Sequence, residues 1–169
     1  MDILTTKGLF TIREANATDL PALVRIHVIS WNATYPYYHP KPSPQLREQQ
    51  WKKAFAEKSG NWFCYIVEKE GGELVGFATG NDFHDVSLPY DGQLNKIHFL
   101  PQYKRLGLGR KLVSVVVKHF LEHGFRSMII FADPGNVHTA FYEKLGGERL
   151  PDSEGKFHGA YGWMNLLEL

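Results

Sequence analysis

The sequence predicts a single mixed α/β domain of about seven strands and about four helices, and three observations carry that prediction. First, short apolar runs alternate with segments of helical period in the order β-α-α-β-β-β-α-β-α-β-β, so strand-helix-strand units occur only in the second half. Second, 169 residues with 43% hydrophobic and 14% aromatic content can bury one good core and are too short for two ordinary domains. Third, no internal repeat, linker or low-complexity stretch divides residues 1–169.

Taken in order, Leu9 to Arg13 alternates like a short strand, and Thr18 or Asp19 offers an N-cap for a helix through about Ser30 with Leu20, Leu23, Ile26 and His27 inward. Trp31 to Pro44 is rich in aromatics and prolines and reads as an irregular loop. A second helix is expected from about Pro44 to Lys58, burying Leu46, Trp51 and Phe55. Asn61 to Lys69 reads as a buried strand, and Glu70-Gly71-Gly72 closes a hairpin onto Leu74 to Ala78. After a polar loop with Asp82, His84, Asp85 and Asp91, a strand from Gln93 to Leu100 leads into a glycine turn. The helix after it sets Leu108, Leu112, Val116 and Phe120 on one face. Met128 to Ala132 is a short strand, Asp133-Pro134-Gly135 a turn, and Asn136 to Leu145 a helix stopped by Gly146-Gly147. A last strand pair surrounds Asp152 to Gly155 and ends in Tyr161 to Leu166.

The bulk numbers exclude several classes of partner. Nineteen basic and 18 acidic side chains leave a formal charge of +1, which argues against a nucleic-acid binder with a broad basic face. No apolar run approaches the roughly 20 residues of a membrane span, and the first residues lack the basic-then-apolar order of a signal peptide. The one cysteine, Cys64, rules out an internal disulfide framework, and the expected home is the reducing cytosol. Cys64 lies between Phe63 and Tyr65 in an apolar strand, so it reads as a buried small hydrophobe rather than a nucleophile. The eight histidines show no paired metal spacing apart from His119 and His123, which close a helix, and no metal is expected.

The segment Lys104-Arg105-Leu106-Gly107-Leu108-Gly109-Arg110-Lys111 reads as a phosphate cradle. Its two glycines admit a close approach to the backbone, and the helix that begins there offers unpaired N–H groups. Alone, such a turn is equally ordinary strand-to-helix punctuation. A dinucleotide fold would need a third glycine where Leu112 stands, and a nucleotide triphosphatase loop would need Lys then Ser or Thr after its last glycine; neither is present.

With this turn in the second half and Asn136-Val137-His138-Thr139-Ala140-Phe141-Tyr142-Glu143-Lys144-Leu145-Gly146 one strand later, the chain resembles the GNAT superfamily of acetyl-CoA-dependent N-acetyltransferases. The closing Tyr161-Gly162-Trp163 and the early Ser30 to Tyr35 extend the likeness, to a bacterial branch, over nearly the whole chain. The resemblance implies a single-domain GNAT-like fold with a central mixed sheet, and acetyl-CoA as co-substrate. It implies a pyrophosphate loop at Lys104, Arg105, Leu106, Gly107, Leu108, Gly109 and Arg110, a pantetheine arm along Phe99 and Leu100, and a cofactor contact at Asn136, which is equally an N-cap. Two residues depart from the family pattern. Lys104 keeps the charge of the usual Arg but not its planar geometry, and Gln93 stands where many members carry a glutamate base.

Amine acetylation needs the thioester held, the incoming ammonium deprotonated, the oxyanion supported and the leaving thiolate protonated. Tyr142 is the expected acid, though Phe141 and Leu145 beside it make a core aromatic the plainer reading without the family match. His98 is a candidate for proton transfer, with a packing role as the alternative. Asp85, Asp91 and His84 are further substitutes for the absent base, or solvated surface. The aromatic stretch from Trp31 to His39 walls the acceptor or only covers a sheet edge. The expected reaction transfers acetyl directly to an amine of a small molecule or peptide; the alternative is a non-catalytic acyl-CoA sensor. A homodimer stays open, and the acceptor's identity is not encoded in any motif.

Overall fold

Eight strands form one sheet in the order β1-β2-β3-β4-β5-β6-β8-β7, in a computed structural model that describes residues 1–133 and 135–169; Pro134, in the expected 133–135 turn, lies outside the described residues. The strands are β1 (Asp2–Thr5), β2 (Gly8–Glu14), β3 (Phe63–Lys69), β4 (Glu73–Asp82), β5 (Gly92–Phe99), β6 (Met128–Phe131), β7 (Glu148–Pro151) and β8 (Phe157–Trp163). The helices are α1 (Leu20–Thr34), α2 (Pro44–Glu57), α3 (Leu108–Glu122) and α4 (Ala140–Glu143). One strand more than expected appears because β1 is a short edge strand. Its residues alternate between exposed and half-buried, and it pairs with β2 from Asp2↔Thr11 to Thr5↔Gly8.

The α2 bounds and the Asp19 N-cap of α1 match expectation, whereas α1 runs longer and the last helix is shorter. At the entry to α1, the Asn16 side chain accepts from the Thr18 backbone N–H (2.9 Å) and the Asp19 carboxylate accepts from the Asn16 N–H (2.9 Å). Both Arg13 terminal nitrogens donate to Asp19 at 2.9 Å, and this contact holds its carboxyl below the usual carboxylate range. From there α1 runs one turn past Ser30, so Trp31 to Thr34 are helical rather than loop. The Thr34 hydroxyl donates to the Ser30 carbonyl at 2.9 Å within that turn. On α2, Trp51 is buried but Leu46 is exposed. The expected Asn136–Leu145 helix shortens to one turn of α-helix, because Phe141 and Tyr142 N–H donate three residues back, to His138 and Thr139, in tighter 3₁₀ geometry.

The core forms on both faces of the sheet. His27 of α1 meets Phe77 of β4 and Trp51 of α2 edge-on, which fixes α1 and α2 on one face. On the other, α3 buries Leu108, Leu112, Val113, Val116, Val117 and Phe120, and Phe120 meets Phe63 of β3 at 5.3 Å between centroids. Among the described residues no helix is long and apolar enough to cross a membrane.

One topological feature positions the site. All neighbouring strands pair antiparallel except β5 and β6, which run parallel around the α3 crossover. That pair spans only two positions, Gly92↔Met128 and Gln93↔Ile129. Immediately beyond, β5 carries a bulge: Thr79 faces Lys96 and Gly80 faces Leu94, leaving Asn95 as the extra residue. A bulge bends and twists its strand, and here it turns the rest of β5 away from β6. From Asn95 to Phe99 that edge of β5 has no strand partner among the described residues.

Candidate active site

The parted strands open a cleft of about 700 Å³ walled by β5, β6, α1, the first turn of α2, the start of α3 and the α4 turn. Of the residues the sequence singled out, His98, Phe99, Lys104, Arg105, Gly107, Gly109, Arg110, Asn136 and Tyr142 all reach its wall. Leu100, Leu106 and Leu108 do not; Leu100 and Leu108 are buried in the core, and the Leu100 N–H donates to the Val75 carbonyl (2.9 Å) while its own carbonyl accepts from the Tyr103 N–H (3.0 Å), so the backbone N–H of Leu108 is the group of these two left to meet a ligand.

The basic turn forms one end. Gly107 is the N-cap of α3, has φ +79°, and a Cβ built on it would meet nothing within 4 Å. Its conformation is one that side chains rarely adopt, and open space lies above it. Gly109 differs: a Cβ there would press on the Phe141 ring at 3.2 and 3.3 Å, so its smallness lets α3 approach the α4 turn. The first intrahelical bond runs from Lys111 N–H to the Gly107 carbonyl, and no side chain among the described residues caps the helix. The N–H groups of Leu108, Gly109 and Arg110 are therefore free donors beside Lys104, Arg105 and Arg110. This donor set suits a diphosphate. His138, which the sequence reading passed over, joins it, accepting from the Lys104 ammonium at 3.0 Å. Burial and the neighbouring Lys104 and Arg105 push its pKa down.

At mid-cleft, Tyr142 is buried, and its phenol is pushed well above the usual value by burial and by Tyr35 and Tyr161. Its hydroxyl makes no hydrogen bond among the described residues. Tyr35 also lines the cleft, its phenol raised to about 12 by burial and by Asp133. Asn136 accepts from the His138 N–H at 2.8 Å, so its carbonyl oxygen shapes the turn before α4.

His98 forms part of the floor. Its Nδ1 lies 3.0 Å from Ser30 Oγ, its ring stacks on Phe77, and the His27 ring is 4.9 Å away. Burial, then Lys96, Arg47 and Lys104, drop its pKa to about 3; burial chiefly, then His98, drops that of His27 to about 2. Both rings are neutral at physiological pH, and His98 is a weak proton acceptor. Unfolding restores the ordinary value near 6.5, so between 6.5 and the folded values the unfolded chain binds more protons and stability falls as the pH is lowered. We expect a loss approaching about 1.4 kcal/mol per pH unit for each histidine as pH drops from 6.5 towards 4. Urea unfolding across that range measures it, and His98→Asn should flatten the slope by about half; a slope unchanged from wild type would contradict the neutral buried ring. The Arg13–Asp19 contribution, from a carboxyl whose folded pKa is also lowered, is lost in the same direction but only at lower pH, below the unfolded aspartate value near 3.9.

The polar loop residues weighed as bases stand elsewhere. Asp91 accepts from Arg126 and Ser127 N–H (2.7 and 3.1 Å), Asp85 from Ser87, and His84 pairs with Asp82. Gln93 sits between Asn81 and Ile129 in the sheet, off the cleft wall. Cys64 is buried, and burial pushes its thiol up. His119 and His123 stack on each other at 4.1 Å, and His119 Nδ1 lies 3.1 Å from the Tyr65 hydroxyl.

Residues 23–147 match the model of the Acetyltransferase (GNAT) family. The chain is 28% identical over 170 residues to YuaI of Bacillus subtilis (strain 168), an uncharacterized N-acetyltransferase, covering 95% of this chain and 96% of that one. It is 22% identical to the L-methionine sulfoximine/L-methionine sulfone acetyltransferase of Pseudomonas paraeruginosa, covering 92% and 90%. Among solved structures, the PaiA N-acetyltransferase of Thermoplasma acidophilum in complex with coenzyme A superposes with a TM-score of 0.74 at 17% identity, over 90% of this chain and 97% of that one.

Proposed function

Because the chain belongs to the GNAT family, whose members are acyltransferases with acetyl-CoA as co-substrate, we propose that it moves acetyl directly to a primary amine of a small molecule or peptide within a ternary complex. The observation that carries this reading is the cleft's continuity: the free N–H groups of the α3 start, the unpaired edge of β5 and the Tyr142 hydroxyl follow one another along it.

In this reading the N–H groups of Leu108 to Arg110, with Lys104, Arg105, Arg110 and His138, hold the pyrophosphate of the co-substrate. Asn136 contacts the same molecule. The free edge of β5, which ends at Phe99, pairs with the pantetheine amides as an added strand, and a backbone N–H of that edge supports the thioester oxygen, whereas Leu100 spends its own N–H on the Val75 carbonyl and closes the strand. The bound thioester supplies an activated acetyl group. The acceptor nitrogen forms the new C–N bond as the C–S bond breaks; the ammonium loses two protons and keeps one as the amide N–H, one lost proton passing to solvent and the other reaching the sulfur. Tyr142 donates a hydrogen bond to the developing thiolate. Its raised pKa keeps it a donor at neutral pH, and because thiols titrate near 8.5, outright transfer of the phenolic proton runs uphill. His98, neutral and weakly basic, fits as a hydrogen-bonding floor rather than a strong base.

A panel of amines assayed by mass spectrometry for acetylated product and coupled CoA release tests the reading. Amine-dependent CoA release with product gaining one acetyl is expected. Tight acetyl-CoA binding with no turnover over the panel would favour a sensing domain instead.

A further inference from the structure

Six cationic side chains reach the cleft wall, Arg47, Lys96, Lys104, Arg105, Arg110 and Lys144, against a single carboxylate among the described residues, Asp133. Four of the six cluster at the α3 start and α4 turn, where a diphosphate accounts for them. Arg47 and Lys96 do not belong to that end. Arg47 comes from α2 and Lys96 from β5 just past the bulge, on the same sheet face as His98.

Neither cation is explained by the fold. On α2, Lys52 and Lys53 pair with Glu48 and Glu57 at 2.6 and 3.8 Å, whereas the half-buried Arg47 has no carboxylate within ion-pair distance among the described residues. Its guanidinium lies over the Trp31 ring, 5.5 Å from the centroid, and Nη1 donates to Gln50 Oε1 at 3.0 Å. Trp31 is in turn packed by Tyr35 and Tyr38. The remaining Arg47 donors have no protein acceptor among the described residues. Arg47 also sits in the first turn of α2, the end of a helix dipole that disfavours a cation. Lys96 likewise makes no ion pair or side-chain hydrogen bond among the described residues. Arg47, fixed over an aromatic ring, and the exposed Lys96, both without carboxylate partners among the described residues, face the same end of the cleft and form an anion site.

We propose that the α1/α2 end of the cleft receives an amine that also carries a compact anionic group, with Arg47 and Lys96 holding the anion. The inference rests on the acetyl-transfer reading and narrows its acceptor. A polyamine would bring like charge against two unpaired cations, whereas a carboxylate or phosphonate supplies the missing partner. The same positive surroundings make the acceptor's own ammonium easier to deprotonate, which suits a cleft whose wall carries no glutamate among the described residues.

Matched acceptors test this: an amino acid, the aminoalkylphosphonate of the same side chain, and the corresponding amine with no anionic group, each assayed with acetyl-CoA. The wild-type kcat/KM should favour one of the anionic members by about 10- to 100-fold over the neutral amine, and the carboxylate and phosphonate arms show which anion fits. Arg47→Gln should raise KM for the favoured acceptor by a similar factor, leaving the neutral amine and acetyl-CoA unaffected; Lys96→Met should act in the same direction, and Arg47→Lys should restore part of the loss. Better turnover of the neutral amine or of a polyamine would overturn the inference while leaving acetyl transfer intact, and so would an equal effect of Arg47→Gln on all acceptors. No turnover of any acceptor, with acetyl-CoA bound, would overturn both.

Discussion

Tyr142→Phe is expected to lower kcat about 100-fold while leaving the KM for acetyl-CoA within about a factor of two. The size follows from the interaction removed. A hydrogen bond from a neutral phenol to a sulfur that becomes anionic only as the C–S bond breaks is strongest in the transition state, and about 2.7 kcal/mol of such stabilisation corresponds to 100-fold. Ground-state binding should hardly change, because the ring that packs near Phe141 and Tyr161 is retained. Stability should also stay within about 0.5 kcal/mol, since the hydroxyl bonds to no other group among the described residues. Steady-state kinetics with varied acetyl-CoA and urea unfolding separate these effects. An unchanged kcat would remove Tyr142 from the chemistry and leave it as the core aromatic its spacing also suits.

Which parts of this site the sequence disclosed follows from how local each part is. The cradle is contiguous: its glycines, its cations and the first turn of α3 lie within Lys104 to Lys111, so reading along the chain found it. The α4 turn was legible for the same reason, although its length was not, because the choice between α and 3₁₀ bonding at His138 and Thr139 is made by the turn's tertiary seat. The opposite end of the cleft could not be read this way. Arg47, Lys96, Ser30 and Tyr35 come from three elements, and only the packing of α1 and α2 on one sheet face brings them together. The parting of β5 from β6 was equally hidden. A bulge at Asn95 leaves no compositional mark, and strand periodicity reads the same with or without it. The edge strand β1 escaped because half of its residues face solvent and its apolar content is too low to signal burial.

Gly107→Val is expected to weaken acetyl-CoA binding by at least about 100-fold, through two effects that a second substitution separates. At φ +79° a side chain costs roughly 1–2 kcal/mol, more for a β-branched one, which a domain of ordinary stability, about 5–15 kcal/mol, tolerates. Valine would relieve that strain by shifting the backbone out of the left-handed region, misaiming the N–H groups of Leu108 to Arg110. It would also fill the open space where a diphosphate must approach. Gly107→Asn removes most of the first effect, because asparagine accepts the left-handed conformation, but keeps the second. If close approach is what the glycine provides, asparagine should lose nearly as much affinity as valine in a calorimetric titration. If backbone aim is what matters, asparagine should bind almost as wild type does. Gly124→Val is the control: Gly124 has φ +86° with nothing near its Cβ and lies past the far end of α3, so it should lose stability but no affinity. Wild-type affinity in Gly107→Val, with the fold intact, would mean that the start of α3 does not hold the phosphates. The charge of Lys104 and Arg105 would then have to bind them without the helix, and the β5 edge would have to hold the co-substrate instead.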